Sequence, residues 1–163
     1  MNLRRGSGRL ILGFVVLVVL HFYLRPRIWD SRAAPDFLVL GLMLFAIRAR
    51  PGLAAVVGFL VGLVADVLTP AHFGAGALAH TVVGYLASWS RAVFFPHNLM
   101  VNAGFFVGAI LARNLIMLLV SGSGSGTLVN DLLVWTPLQA LTTAVAGTLV
   151  LVFFRKWFAI RMA

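Results

Sequence analysis

Apolar residues fall into six runs along the chain, and short stretches rich in charge, proline and glycine separate them. A bilayer core about 30 Å thick needs roughly 20 helical residues. The second and third runs approach that length only when flanking residues such as Ala33, Ala34, Thr69 and Pro70 are counted. The predicted spans are then about 10–24, 33–47, 53–70, 74–90, 99–120 and 132–154. The pattern predicts an all-α integral membrane protein in which residues 1–163 form a single domain of six transmembrane helices. Five spans with one re-entrant segment is the alternative.

Composition supports lipid as the surrounding solvent. Hydrophobic residues make up 61% of the 163 residues and charged residues only 10%, whereas soluble domains average about 45–50% and about 25%. So few charges could not cover a water-facing surface. The first run follows basic residues as a signal peptide would, but it ends in Arg25-Pro26-Arg27 without a small-residue cleavage site, so we interpret it as a retained span.

Candidate chemistry is sparse. The chain has no cysteine and no glutamate, and its four histidines, at 21, 72, 80 and 97, lack the spacing of metal ligands. No nucleophile elbow, phosphate-binding loop or carboxylate dyad is present. We therefore expect no enzyme activity, no cofactor and no metal.

The positive charge is distributed unevenly around the predicted spans. The net charge of +9 comes mostly from residues that flank apolar runs, as expected for contact with anionic lipid and not for nucleic-acid binding. The basic N-terminus, 2–3 loop, 4–5 loop and C-terminus fall on one side, which predicts that both termini are cytoplasmic. Arg25, Arg27 and Arg32, beside Trp29, lie on the opposite side. This exception predicts a partner-binding role for the 1–2 loop. The Ser-Gly repeat at 121–126 has the composition of a flexible linker on the same side.

Two charged residues in the second and fifth spans need partners. Asp36 follows Pro35 and precedes an apolar helix, so it either caps that helix or pairs with Arg113 or Arg32. Arg113 lies near mid-depth in the fifth span, where an arginine faces the bundle interior or a partner protein. The sequence leaves both alternatives open. His80, in the fourth span, is interpreted as a hydrogen-bonded interior residue with a proton carrier as the alternative.

The third span carries a small-residue face. Ala54, Gly58, Gly62 and Asp66 are four residues apart and therefore share one side of a helix. Small residues at this spacing let another membrane helix approach closely. Asp66 then lies at the end of this small-residue face, where it either caps the 3–4 turn or serves as a partner contact or ion site.

The ordered combination of these features resembles the MreD family of rod shape-determining membrane proteins. The resemblance covers nearly the whole chain, and its motifs are a Pro-Asp start to the second span, a glycine-rich segment across the third and fourth spans, and a proline-led final span. The residues that carry it, also taken as helix-packing positions, include Pro35, Gly58, Gly62, Gly84 and Pro137. The Ser-Gly repeat departs from the family, so no family contact in the 5–6 loop is carried over.

The resemblance implies a scaffold in the bacterial plasma membrane. Its expected partner is MreC, a single-span coiled-coil protein, and its indirect partners are MreB, RodA and a class B penicillin-binding transpeptidase. The implied role is regulation of peptidoglycan synthesis and rod shape. The family fold is similar to the substrate-binding subunits of energy-coupling-factor transporters, so a small-molecule uptake subunit is the alternative. Against that alternative, the first span lacks the Ala-x-x-x-Ala face that such subunits usually present, with only Gly13 among bulky aliphatics.

Overall fold

The computed structural model describes residues 3–28, 32–67, 72–90, 99–121 and 130–153. These residues form six α-helices, and they contain no strand, which confirms the all-α prediction. A 3-10 turn (Arg25–Arg27) follows the first helix, and a π-helical turn (Asp131–Trp135) leads into the last. The helices are α1 (Leu3–Leu24), α2 (Phe37–Ala46), α3 (Pro51–Val67), α4 (Ala75–Trp89), α5 (Leu99–Ser121) and α6 (Thr136–Phe153).

Helix α2 lies at the centre of the bundle. It contacts all five other helices, and nine of its ten residues are buried. A helix that is apolar on every side is stable only when it is surrounded. At ten residues it is about 15 Å long, half the thickness of a bilayer core. It is therefore shorter than the predicted span 33–47.

Helices α3 and α4 form an antiparallel hairpin with very close backbones. A Cβ atom on Gly58 would overlap the carbonyl oxygen of His80, and one on Gly62 would overlap that of Gly76. Gly84 of α4 meets the carbonyl oxygen of Ala54 in the same way. Only glycine fits at these three positions, so the small-residue face lies against the neighbouring helix.

Helices α5 and α6 are the two described helices that are long and apolar enough to cross a membrane, over Met100–Val120 and Asp131–Phe153. They pack side by side, and the buried ring of Phe106 occupies the space left by Gly147. Much of their apolar surface is exposed, as on a face that meets lipid. That all six helices cross the membrane stays a prediction.

Helix α1 is peripheral. It packs mainly against α2, where Gly41 accommodates the side chains of Phe14 and Leu17. Its opposite face exposes large apolar residues, including Leu12 and Val19. The helix begins at Leu3, seven residues before the predicted span.

Candidate functional site

Asp36 is the centre of a buried polar cluster at one end of the bundle. Its Oδ1 atom accepts hydrogen bonds from the backbone N–H groups of Leu38 and Val39, both at 3.1 Å, which makes it the N-cap of α2. Its own backbone N–H donates to Thr143 Oγ1 on α6 at 3.0 Å. The residue is fully buried, so the start of α2 is fixed to α6.

Basic side chains face the same carboxylate. Arg113 Nε lies 3.9 Å from Asp36 Oδ2, and His21 Nδ1 lies 3.5 Å from Oδ1. Arg25 Nη1 donates to His21 Nε2 at 3.2 Å, which leaves the His21 proton on the nitrogen that faces Asp36. Asp36 therefore both caps α2 and faces Arg113, the two arrangements that the sequence offered as alternatives.

A chain of amides extends the cluster from α5 to α6. Arg113 Nη1 donates to Asn114 Oδ1 at 2.7 Å. Asn114 Nδ2 donates in turn to Gln139 Oε1 at 2.8 Å and to Thr136 Oγ1 at 3.2 Å. Sequence reasoning missed Thr136, Gln139 and Thr143. Their spacing of three and four residues marks one polar face in an apolar helix, and that signal could have identified them.

Asp66 caps α4 from the end of α3. Its two carboxylate oxygens accept from the backbone N–H groups of Gly74, Gly76 and Ala77, each at 2.9 Å. Gly74 has a φ of +100°, a left-handed conformation that favours glycine. The Asp66 carboxylate occupies the space in which a Cβ atom on Gly76 would lie. These contacts are those of a helix cap.

The close contact between α3 and α4 at Gly58, Gly62 and Gly84 is called the glycine seam below. His80 lies on α4 within this seam and is fully buried. Its Nδ1 atom donates to the carbonyl oxygen of Gly76 at 2.7 Å, and its Nε2 atom has no hydrogen-bond partner. This arrangement is that of an interior histidine bonded to its own helix.

The arginines of the 1–2 loop are held against aromatic rings. The guanidinium carbon of Arg27 lies 3.7 Å from the centre of the Tyr23 ring, and that of Arg32 lies 4.0 Å from the Trp135 ring. Arg25 instead turns inward to His21. The prediction for Trp29 lies outside the described residues. The structure thus brings Arg25 and Arg113 together and leaves Arg27 on the exposed edge.

The two prolines taken as packing positions, Pro35 and Pro137, differ in how far they are buried. Pro35 is partly buried beside α6, where it lines an apolar groove. Pro137 is in the first turn of α6, which suits proline. Its ring is exposed, so it does not pack inside the described bundle, and a packing role for Pro137 stays a prediction. Proline is favoured there by its backbone geometry and not by contacts of its ring.

Two cavities adjoin the cluster. One has a volume of about 210 Å³ and is lined mainly by α5, the π-helical turn and the start of α6. The other, of about 490 Å³, lies towards α1 and the end of α3. Arg25, Arg32, Arg113 and Met117 line both. Within the described residues, no group of three His, Cys, Asp or Glu side chains is placed to hold a metal ion.

Comparison with known proteins gives one family. The MreD family model, described as rod shape-determining protein MreD, matches residues 5–158. No curated protein and no solved structure matches the chain. The matched range includes the residues that carried the resemblance: the Pro-Asp start of the second span, the glycine-rich segment across the third and fourth spans, and the proline-led final span. Because the match covers nearly the whole sequence, the chain belongs to the MreD family, membrane proteins with a role in determining rod cell shape.

Proposed function

We propose that this chain is a membrane scaffold of the bacterial elongation machinery. It binds an MreC-like single-span coiled-coil protein and through it regulates peptidoglycan synthesis. Membership of the MreD family, over residues 5–158, is the observation that carries the proposal. MreB, RodA and a class B penicillin-binding transpeptidase are indirect partners. The chain lies in the bacterial plasma membrane as six spans with cytoplasmic termini.

The proposed docking surface is the outer edge of the 1–2 loop, which we call the basic rim. It consists of Arg27 on Tyr23 and Arg32 on Trp135. Arginines held on aromatic rings lose little conformational freedom when they bind. Arginine and aromatic residues also dominate the energy of many protein interfaces. Acidic or carbonyl groups of the partner, close to its own membrane span, would complement this rim.

Arg113 has a different role in this proposal. Its contacts with Asp36 and Asn114 are internal, and its side chain is only 15% exposed. We therefore assign Arg113 to the stability of the bundle and not to the partner.

Co-purification tests the docking surface. The double variant Arg27→Glu/Arg32→Glu should lose the MreC-like partner when the two proteins are co-expressed, because the reversed charges repel an acidic surface. Arg48→Glu/Arg50→Glu is the matched control, since these two exposed arginines lie in the 2–3 loop at the other end of the bundle. Partner retention by the rim variant, or equal loss in the control, would contradict the proposal.

A small-molecule uptake subunit is the second candidate, and the cavities beside Arg113 are the observation that favours it. Pockets for small ligands usually measure about 300–1,000 Å³, and the larger cavity, of about 490 Å³, falls in that range. Uptake of a water-soluble compound that depends on this chain and on an energising module would support this function. Unchanged uptake in a deletion strain that has lost its rod shape would exclude it.

A further inference from the structure

Three residues that line the smaller cavity, beside Arg113, each have a buried side-chain nitrogen without a hydrogen-bond partner. The nitrogen atoms are Gln139 Nε2, Trp135 Nε1 and Arg113 Nε, and of these Arg113 Nε faces Asp36 Oδ2 at 3.9 Å without a hydrogen bond. All three residues line the same cavity of about 210 Å³. Buried polar groups normally find partners, so a group rich in acceptor oxygens would complete the site.

The charge of the lining favours an anion. Arg25, Arg32 and Arg113 contribute three positive charges, and Asp131 contributes one negative charge. Asp36, behind Arg113, offsets part of the total, and the net charge around the cavity remains positive. Arginine binds phosphate with paired, charge-assisted hydrogen bonds.

An apolar groove along α6 adjoins the cavity at Trp135. Trp135 lines both, and the wall of the groove includes Leu138, Leu141, Val145 and Leu149. From Leu138 to Leu149 the helix rises about 16 Å, which is close to the roughly 15 Å depth of hydrocarbon in one leaflet. A free anion would leave this groove empty, whereas the acyl chain of a lipid would fill it.

From the cavity and the groove together we propose that this end of the bundle binds an anionic phospholipid. The phosphate lies in the cavity between α5 and α6, where Gln139, Trp135 and the arginines donate hydrogen bonds to its oxygens. One acyl chain lies in the groove of α6. The site is contained within one chain and does not require the MreC-like partner, although Arg32 belongs both to the basic rim and to the lining of the cavity.

Lipid retention by the purified full-length chain tests the site. The detergent-solubilised protein is mixed with equal amounts of phosphatidylglycerol and phosphatidylcholine that carry the same acyl chains. Native mass spectrometry then counts the lipids bound. We expect phosphatidylglycerol to be retained about tenfold better, because both lipids carry the phosphate but only phosphatidylcholine adds a choline cation, which the arginines around the cavity repel. Equal retention of the two lipids would overturn the proposal.

Substitutions in the cavity and in the groove distinguish what each contributes to lipid binding. Gln139→Glu keeps the oxygen that accepts from Asn114 but replaces the free donor with a negative charge, so it should abolish the preference for phosphatidylglycerol. Trp135→Phe removes the indole N–H together with the five-membered ring and should weaken the preference, while Asp131→Asn should strengthen it. Gln139→Glu and Trp135→Phe proteins that remain folded and keep the wild-type preference would disprove the headgroup site.

The groove has its own pair of variants. Val145→Trp fills the groove and should lower retention of both lipids, whereas Val152→Trp, exposed on the same helix outside the groove, should not. If inorganic phosphate alone displaces the lipid and Val145→Trp has no effect, the site binds a free anion. If Val145→Trp retains lipid but loses the MreC-like partner, the groove holds polypeptide. Either result would overturn the lipid proposal.

Discussion

Two buried aspartates cap the N-termini of helices in this bundle, Asp36 that of α2 and Asp66 that of α4, and they differ in how completely their oxygen atoms are hydrogen-bonded. Both carboxylate oxygens of Asp66 accept backbone hydrogen bonds, from three N–H groups in all. Asp36 accepts two backbone bonds through Oδ1, and its Oδ2 faces Arg113 at 3.9 Å without a hydrogen bond. Local backbone alone satisfies Asp66, whereas Asp36 also depends on side chains from α1 and α5.

The surroundings of the two residues differ in the same way. Between α3 and α4, glycines bring the backbones so close that no Cβ atom would fit at Gly58 or Gly62, and only the end of the hairpin, at Asp66, borders the larger cavity. Around Asp36 and Arg113, cavities remain and several donors lack acceptors. Complete satisfaction is typical of a structural element, and incomplete satisfaction is typical of a site that binds something. We therefore infer that the α3–α4 hairpin has a structural role, and we propose that ligand binding belongs to the α5–α6 side.

The largest effect is expected in the glycine seam. Gly62→Leu should destabilise the isolated protein by more than the roughly 1–3 kcal/mol typical of overpacking, because its Cβ would overlap backbone atoms of α4 that cannot rotate away. Folded yield in detergent measures this. Gly108→Leu on α5 is the control, since a Cβ there meets nothing within 4 Å. If Gly62→Leu gives the wild-type yield, α3 and α4 can move apart without loss of folding. The contrast between a closely packed hairpin and an open α5–α6 side would then fail.

The next effect concerns the Asp66 cap. Asp66→Ala leaves buried N–H groups at the start of α4 without acceptors and should lower the free energy of unfolding by about 3 kcal/mol. Asp131→Ala is the control, because Asp131 is only partly buried in the π-helical turn. Equilibrium unfolding in detergent distinguishes them. If Asp66→Ala remains stable but loses the MreC-like partner, Asp66 is a contact residue and not a cap.

The smallest effect is expected for the ion pair. Arg113→Gln should lower the unfolding free energy by about 2 kcal/mol, less than for a tight buried pair, because the Nε–Oδ2 distance is 3.9 Å and the side chain is 15% exposed. Asp36→Asn combined with Arg113→Gln should lose less than the sum of the single changes. Strict additivity in this double-mutant cycle would show that the two charges do not interact.

Sequence reasoning succeeded where the signal was periodic. The apolar runs predicted the helices, and the four-residue spacing of Ala54, Gly58, Gly62 and Asp66 lies along the face that meets α4. Such features depend only on helix geometry. Asp36 was identified as a cap because proline and a following apolar run mark a helix start.

Features that depend on tertiary structure could not be predicted. Nothing local indicates that His21 of α1 faces Asp36, or that Thr143 accepts a hydrogen bond from a residue 107 positions earlier. The π-helical turn at Asp131–Trp135 also has no sequence signature, although it brings Trp135 to both the cavity and the groove. π-helical turns are frequent at functional sites.

The central position of α2 has a consequence for biosynthesis. A short helix with almost no surface of its own towards lipid cannot reach its final environment when it first enters the membrane. Its N-cap is bonded to Thr143, near the end of the chain, so α2 stays incompletely enclosed until α6 has been translated. We therefore expect shortened chains that end after α4 to be recognised by membrane proteases. The last helix would then act as the checkpoint for assembly of the whole protein.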